Sequence, residues 1–101
     1  MSDIVSIDPS DVKLRLEAGE RLTVVDVRED EEVAAGMIPG AKHIPLGQLP
    51  ERHEEIDRSG GEIVLVCRSG NRSSRAYGFL ESIGYTGLKN MTGGMLAWEK
   101  L

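Results

Sequence analysis

Four consecutive branched apolar residues, Ile63-Val64-Leu65-Val66, run straight into Cys67, the single cysteine of the chain. This is the strongest strand signal in the sequence. A second run rich in β-branched residues, Leu22 to Val27, reads as a buried strand. Shorter strands are expected at Ile4 to Ile7, at His43-Ile44-Pro45, where proline closes it, and at Leu88 to Met91.

Helical patterns alternate with these runs. Asp8-Pro9-Ser10-Asp11 reads as a helix start, with Asp8 as cap and Pro9 at the first helical position. Val12 and Leu16 share one face of that helix, and Gly19 ends it. The acids Glu29 to Glu32 lead into a short helical stretch reaching Ala35 and Gly36. Ile38-Pro39-Gly40-Ala41 is a turn. A further helix is expected from near Gln48, within Leu46 to Ile56, followed by a loop at Ser59-Gly60-Gly61. After Cys67, the residues Ala76, Phe79, Leu80 and Ile83 fall at i, i+3, i+4 and i+7, one apolar stripe of a helix that Gly84 stops. Met95, Trp98 and Leu101 give a last helical face. Strands alternating with helices predict an α/β fold with a mainly parallel sheet.

The 101 residues fit one domain, 1–101, with one core. Apolar residues make up 40% and charged residues 29%, values of a soluble globular chain rather than a disordered one. The net charge of −5 argues against nucleic acid or an anionic membrane as partner. A lone cysteine forms no internal disulfide, and Met1-Ser2-Asp3-Ile4 lacks the basic and apolar regions of a secretory leader, so the chain is read as cytoplasmic. With one cysteine and two histidines, His43 and His53, no metal site is expected. Both histidines are read as ordinary surface or strand residues, and no cofactor is implied.

The chemistry is expected in the loop Cys67-Arg68-Ser69-Gly70-Asn71-Arg72. In open α/β sheets ligands bind at the carboxyl ends of strands, where Cys67 sits. A short loop leading into a helix N-terminus turns backbone N–H groups inward and favours negative charge. Gly70 permits angles that a side chain forbids. Ser73 or Ser74 is placed to cap the helix. Helix N-termini and nearby arginines, here Arg68, Arg72 and Arg75, lower a thiol pKa, and the thiolate is the attacking form. The same ring of donors suits a persulfide anion or the sulfonate end of thiosulfate. The plainer reading, an inert thiol ending a buried strand, suits a cysteine alone but not this order of strand, Cys, Gly, Arg and amphipathic helix.

At this loop the sequence resembles the rhodanese homology domain, and the resemblance covers nearly the whole chain. Asp26-Val27-Arg28, then Glu32, then Gly36-Met37-Ile38-Pro39-Gly40-Ala41, is similar to the family's first signature. Val66 to Ser73 resembles its active-site loop, and Gly93-Gly94 followed by Trp98 its closing motif. Met37 stands where the family often has His, and Val33 where an aromatic is common. The resemblance implies a three-layer α/β/α fold around a five-stranded, mostly parallel sheet. It also implies sulfur transfer by ping-pong chemistry through a Cys67 persulfide. The donor would be thiosulfate or another persulfide donor, and the acceptor cyanide or a thiol. Cys67 would be the nucleophile, the amides of Arg68, Ser69, Gly70, Asn71, Arg72 and Ser73 the cradle, and Arg68 and Arg72 the anion binders. Related phosphatases and arsenate reductases have one loop residue more, room for a phosphate-sized tetrahedron, so that activity is not expected. A sulfur-relay module working with a protein partner is the alternative, and a non-catalytic regulatory domain ranks below it. A monomer is expected.

Asp26 and Arg28 are supporting candidates at the end of a strand on the Cys67 side. The structural alternative, an ion pair of Arg28 with Glu32, is preferred. Glu29 to Glu32 read as a solvated face, and Phe79 and Trp98 as core.

Overall fold

A computed structural model describes residues 3–101. Five strands form one sheet: β1 (Ser6–Ile7), β2 (Thr23–Asp26), β3 (Lys42–His43), β4 (Ile63–Val66) and β5 (Leu88–Met91). Their spatial order is β1-β5-β4-β2-β3, and every paired neighbour is parallel. The helices are α1 (Pro9–Glu17), α2 (Asp30–Ala34), α3 (Leu49–Arg52), α4 (Asn71–Ser82) and α5 (Gly94–Trp98).

A parallel sheet is covered on both faces, so its central strands are apolar throughout. Alternation along β4 divides the core accordingly. Ile63 and Leu65 point, with Cys67, into a cluster that contains Ala76, Tyr77 and Leu80 of α4 and Leu49 of α3. Val64 and Val66 point into a second cluster with Val12 of α1 and Met95 of α5. The result is the three-layer α/β/α arrangement, with β4 buried at every position.

Local expectations fail where tertiary partners intervene. Asp8 occupies the N-cap position of α1 but makes no side-chain cap; its carboxylate accepts the Thr92 hydroxyl instead, at 3.1 Å. The helix expected after Leu46 is broken into a short 3-10 turn, the four residues of α3 and a second 3-10 turn at His53–Glu55. Pro50, inside α3, supplies no backbone N–H to extend it. On α4, Ala76 and Leu80 are buried, but Ile83 is 44% exposed, because it lies past the helix end at Ser82. Tyr77 takes the inward position instead, and its hydroxyl accepts the Val5 amide at 3.2 Å. Leu101 likewise stays exposed, while Phe79 and Trp98 pack against the two clusters.

Candidate functional site: the loop after β4

Asp26 and Val66 lie opposite each other at the carboxyl ends of β2 and β4. The chain leaving β4 turns at once through Cys67 to Gly70, and α4 begins at Asn71. Gly70 is the N-cap residue, with φ 113°, a left-handed backbone that only glycine adopts readily. Ser73 and Ser74 therefore do not cap α4. They lie inside its first turn; the Ser74 hydroxyl donates back to the Gly70 carbonyl at 2.7 Å, and the Ser73 hydroxyl lies 3.2 Å from the same oxygen.

That turn aims donors at sulfur. The Gly70 amide stands 2.9 Å from the Cys67 Sγ, and the Ser73 hydroxyl 3.3 Å from it. Burial pushes the Cys67 thiol up. The Ser73 hydroxyl and the amides of Ser73, Gly70 and Ser69 push it down, and together they prevail, holding it below the usual thiol value. Hydrogen bonds, rather than arginine charge, do most of the lowering. The sulfur is also more enclosed than a position at the carboxyl end of a strand suggests: Cys67 is 1% exposed, while Arg68, Ser69 and Asn71 are exposed.

Two further residues complete the arrangement: Asn90, which the sequence does not single out, and Glu32, whose partner is Arg72 rather than Arg28. Asn90, buried on β5, accepts the Ser73 hydroxyl through Oδ1 and donates from Nδ2 to Ser74 Oγ at 3.3 Å. A serine has one hydroxyl proton, and Sγ, the Gly70 carbonyl and the Asn90 Oδ1 all compete for it. The sequence signal for Asn90 is weak, since it stands beside Lys89 in a run that is only half apolar, Leu88-Lys89-Asn90-Met91. Glu32 is the other. Its carboxylate takes both guanidinium nitrogens of Arg72, at 2.6 and 2.7 Å, and also accepts the Glu29 amide at 3.0 Å in a capping box at the start of α2. The Arg72 guanidinium holds the Glu32 carboxyl down to about 2, well below the usual range. The acidic stretch is thus not simply a solvated face: Glu29, Asp30 and Glu31 are exposed, and Glu32 is tied to the loop.

Arg28 does not pair with Glu32. Its Nε and Nη2 grip Asp26 at 2.9 to 3.1 Å, and Nη2 donates to the Gly36 carbonyl at 2.7 Å. Asp26 is 1% exposed and Arg28 6%, so the pair is internal and ties β2 to the chain after α2. His43 approaches the Arg28 carbonyl through Nε2 at 2.8 Å, and His53 approaches the Tyr85 hydroxyl through Nδ1 at 3.0 Å; both rings are partly buried. Among the described residues no three His, Cys, Asp or Glu side chains converge as a metal site would require. None of the described helices is long and apolar enough to cross a membrane.

The start of α5 supports the loop from behind. Met95 donates its amide to the Cys67 carbonyl at 2.8 Å, and Leu96 donates to the Arg68 carbonyl at 3.1 Å. A parallel sheet, a cysteine closing its central strand and a glycine-started helix beyond it are joined to a Gly93-Gly94 clasp. The rhodanese-like domain model matches residues 8–101. The chain belongs to the rhodanese-like domain family.

A provisionally named sulfurtransferase, YtwF of Bacillus subtilis (strain 168), is 46% identical to this rhodanese-like chain over 97 residues, covering 96% of it and 92% of the relative. A protein of Allochromatium vinosum named sulfurtransferase is 38% identical over 94 residues, covering 93% of this chain and 87% of that one. Among solved structures, a rhodanese-like domain protein from Staphylococcus aureus superposes with a TM-score of 0.85 at 36% identity, over 94% of this chain and 91% of that one. The rhodanese-like resemblance and the α/β/α fold read from the sequence are borne out.

Proposed function

We propose that this chain is a sulfurtransferase that moves a sulfane sulfur through a persulfide on Cys67. The Cys67 thiolate attacks the outer sulfur of a donor such as thiosulfate. A Cys67 S–S bond forms, the donor's S–S bond breaks, and sulfite leaves with the electron pair. An acceptor thiolate or cyanide then attacks the outer sulfur of the persulfide. It leaves as a new persulfide or as thiocyanate, and Cys67 returns as thiolate. No external oxidant or reductant is needed. A reducing compartment such as the cytoplasm suits this cycle, and a monomer suffices for it.

The observation that carries this reading is the hydrogen-bonded sulfur, with the Gly70 amide at 2.9 Å and the Ser73 hydroxyl at 3.3 Å. An inert core thiol has no use for converging donors, whereas a thiolate and a persulfide anion both need them. Six residues from Cys67 to Arg72 make a small ring, which suits one sulfur better than a phosphate. Relatives named sulfurtransferases support the same class. Thiocyanate release from thiosulfate and cyanide tests the reading. Cys67→Ser is expected to abolish it, and an undiminished rate in that variant would overturn it.

A further inference from the structure

The charge around the loop is unevenly committed. Arg28 is neutralised by Asp26 and Arg72 by Glu32. Among the described residues Arg68, on the loop itself, makes no ion pair, and the exposed acids Glu29, Asp30 and Glu31 lie on and just before α2, the helix that carries Glu32. Arg72 is close enough to interact with the Cys67 charge, and with Glu29, but its strongest partner is Glu32. The Glu32 side chain is 27% exposed and that of Arg72 30%, so the pair sits at the rim, where it is only partly screened.

We propose that Glu32 is a specificity-determining residue. By holding Arg72 in a two-pronged ion pair beside the Cys67 loop, it biases the site away from dianionic sulfur donors and toward donors of single charge, such as a thiosulfonate or a low-molecular-weight persulfide. This rests on the sulfur-transfer reading above. A dianion feels each unit of nearby charge twice as strongly as a monoanion of the same shape. An Arg72 with its charge cancelled offers neither ion a net attraction, so the preference for the dianion that a bare guanidinium would create is removed. The carboxylate stays ionised throughout the neutral range, because the Arg72 guanidinium holds its pKa at about 2.

Thiosulfate and methanethiosulfonate share the sulfane sulfur and the sulfonyl head and differ by one charge. With cyanide as acceptor, Glu32→Gln is expected to raise the ratio of their kcat/KM values, thiosulfate over methanethiosulfonate, by roughly five- to tenfold. Glutamine keeps an oxygen for the Glu29 amide, so the α2 cap survives. Glu31→Gln, which removes an exposed charge on the same helix, is expected to change the ratio less than about twofold. The double variant Glu32→Gln, Arg72→Gln separates neutralisation from its rival, in which Glu32 merely orients Arg72 to grip the donor. Neutralisation predicts a ratio near that of the unaltered protein, and a fall in the double variant would overturn the proposal. So would an unchanged or lowered ratio in Glu32→Gln. Protection of Cys67 from iodoacetamide by sulfate relative to methanesulfonate reads the same charge preference without turnover. If neither donor is turned over, the sulfur-transfer reading fails, while a sulfate preference that does not rise in Glu32→Gln overturns the charge assignment.

Discussion

Gly94 lies against the carbonyl of Cys67: a Cβ at Gly94 would stand 2.5 Å from that oxygen and equally close to the carbonyl of Arg68. Its φ of +56° adds a conformational reason for glycine. The Cys67 loop is therefore seated on the first turn of α5, and Gly94→Ala cannot be accommodated without moving the Cys67–Arg68 backbone. A loss of about 2–4 kcal/mol is expected from the urea midpoint. Cys67 alkylation should lose its low-pH onset as the Gly70 amide and Ser73 hydroxyl go out of register. A variant with unaltered stability and reactivity would show the clasp to be passive.

Ser73→Ala removes the hydroxyl that lies 3.3 Å from the Cys67 sulfur. The Cys67 pKa, held down by this group and three amides against the opposing effect of burial, should rise. The thiolate fraction at neutral pH falls with it, and iodoacetamide alkylation at pH 7 should slow by about tenfold. The pH profile should move to higher pH, with the rate at high pH restored. A profile that stays in place would mean the amides alone set the acidity.

Asp26→Asn leaves Arg28 internal and without its counter-charge. Breaking a buried pair from one side costs about 3–5 kcal/mol. Pairing the change with Arg28→Met should recover much of that loss, since an apolar side chain of similar length replaces the stranded cation. Failure of the second change to recover stability would indicate that the Arg28 bond to the Gly36 carbonyl, at 2.7 Å, matters more than the ion pair.

Acid should destabilise the fold in a defined window. Glu62 accepts both guanidinium nitrogens of Arg15 and the Lys89 ammonium, all at 2.8 to 2.9 Å, and these partners hold its pKa near 2. Glu32 behaves alike through Arg72. A carboxyl whose folded pKa lies below its unfolded value stabilises above the unfolded value, 4.5 here, and loses that contribution as pH falls toward about 2. Urea midpoints should be flat near neutrality and drop between these limits. Glu62→Gln should flatten the drop, and an unchanged slope would remove Glu62 from the explanation.

What could be read from the sequence divides by range. β4 begins and ends where Ile63 and Val66 do, because a short run of branched apolar residues admits little else. Pro9 starts α1 as expected, and the Cys67 loop meets a helix beyond it. The sulfur's hydrogen bonds lie within six residues, so residue order alone was enough to suggest them. Ser73 and Ser74 do not cap α4 because the helix begins at Asn71, directly after the left-handed Gly70; the freedom of Gly70 is legible in the sequence, but the residue at which the helix starts is not. Glu32 meets Arg72 across 40 positions, and Asn90 meets Ser73 across 17. Such pairings arise from the sheet order rather than from any local pattern, and they are why the acidic run reads as merely solvated; the Arg28–Asp26 pair, by contrast, spans only two positions and lies within reach of the sequence.

A sulfur enclosed by its own loop should still accept and release a second sulfur. Intact-mass spectrometry of the folded protein, treated with thiosulfate or methanethiosulfonate and then with cyanide, tests it directly. A gain of one sulfur atom, lost on adding cyanide and absent in Cys67→Ser, is the expected result. A mass unchanged by either donor, together with a Cys67 that iodoacetamide labels only after unfolding, would contradict it.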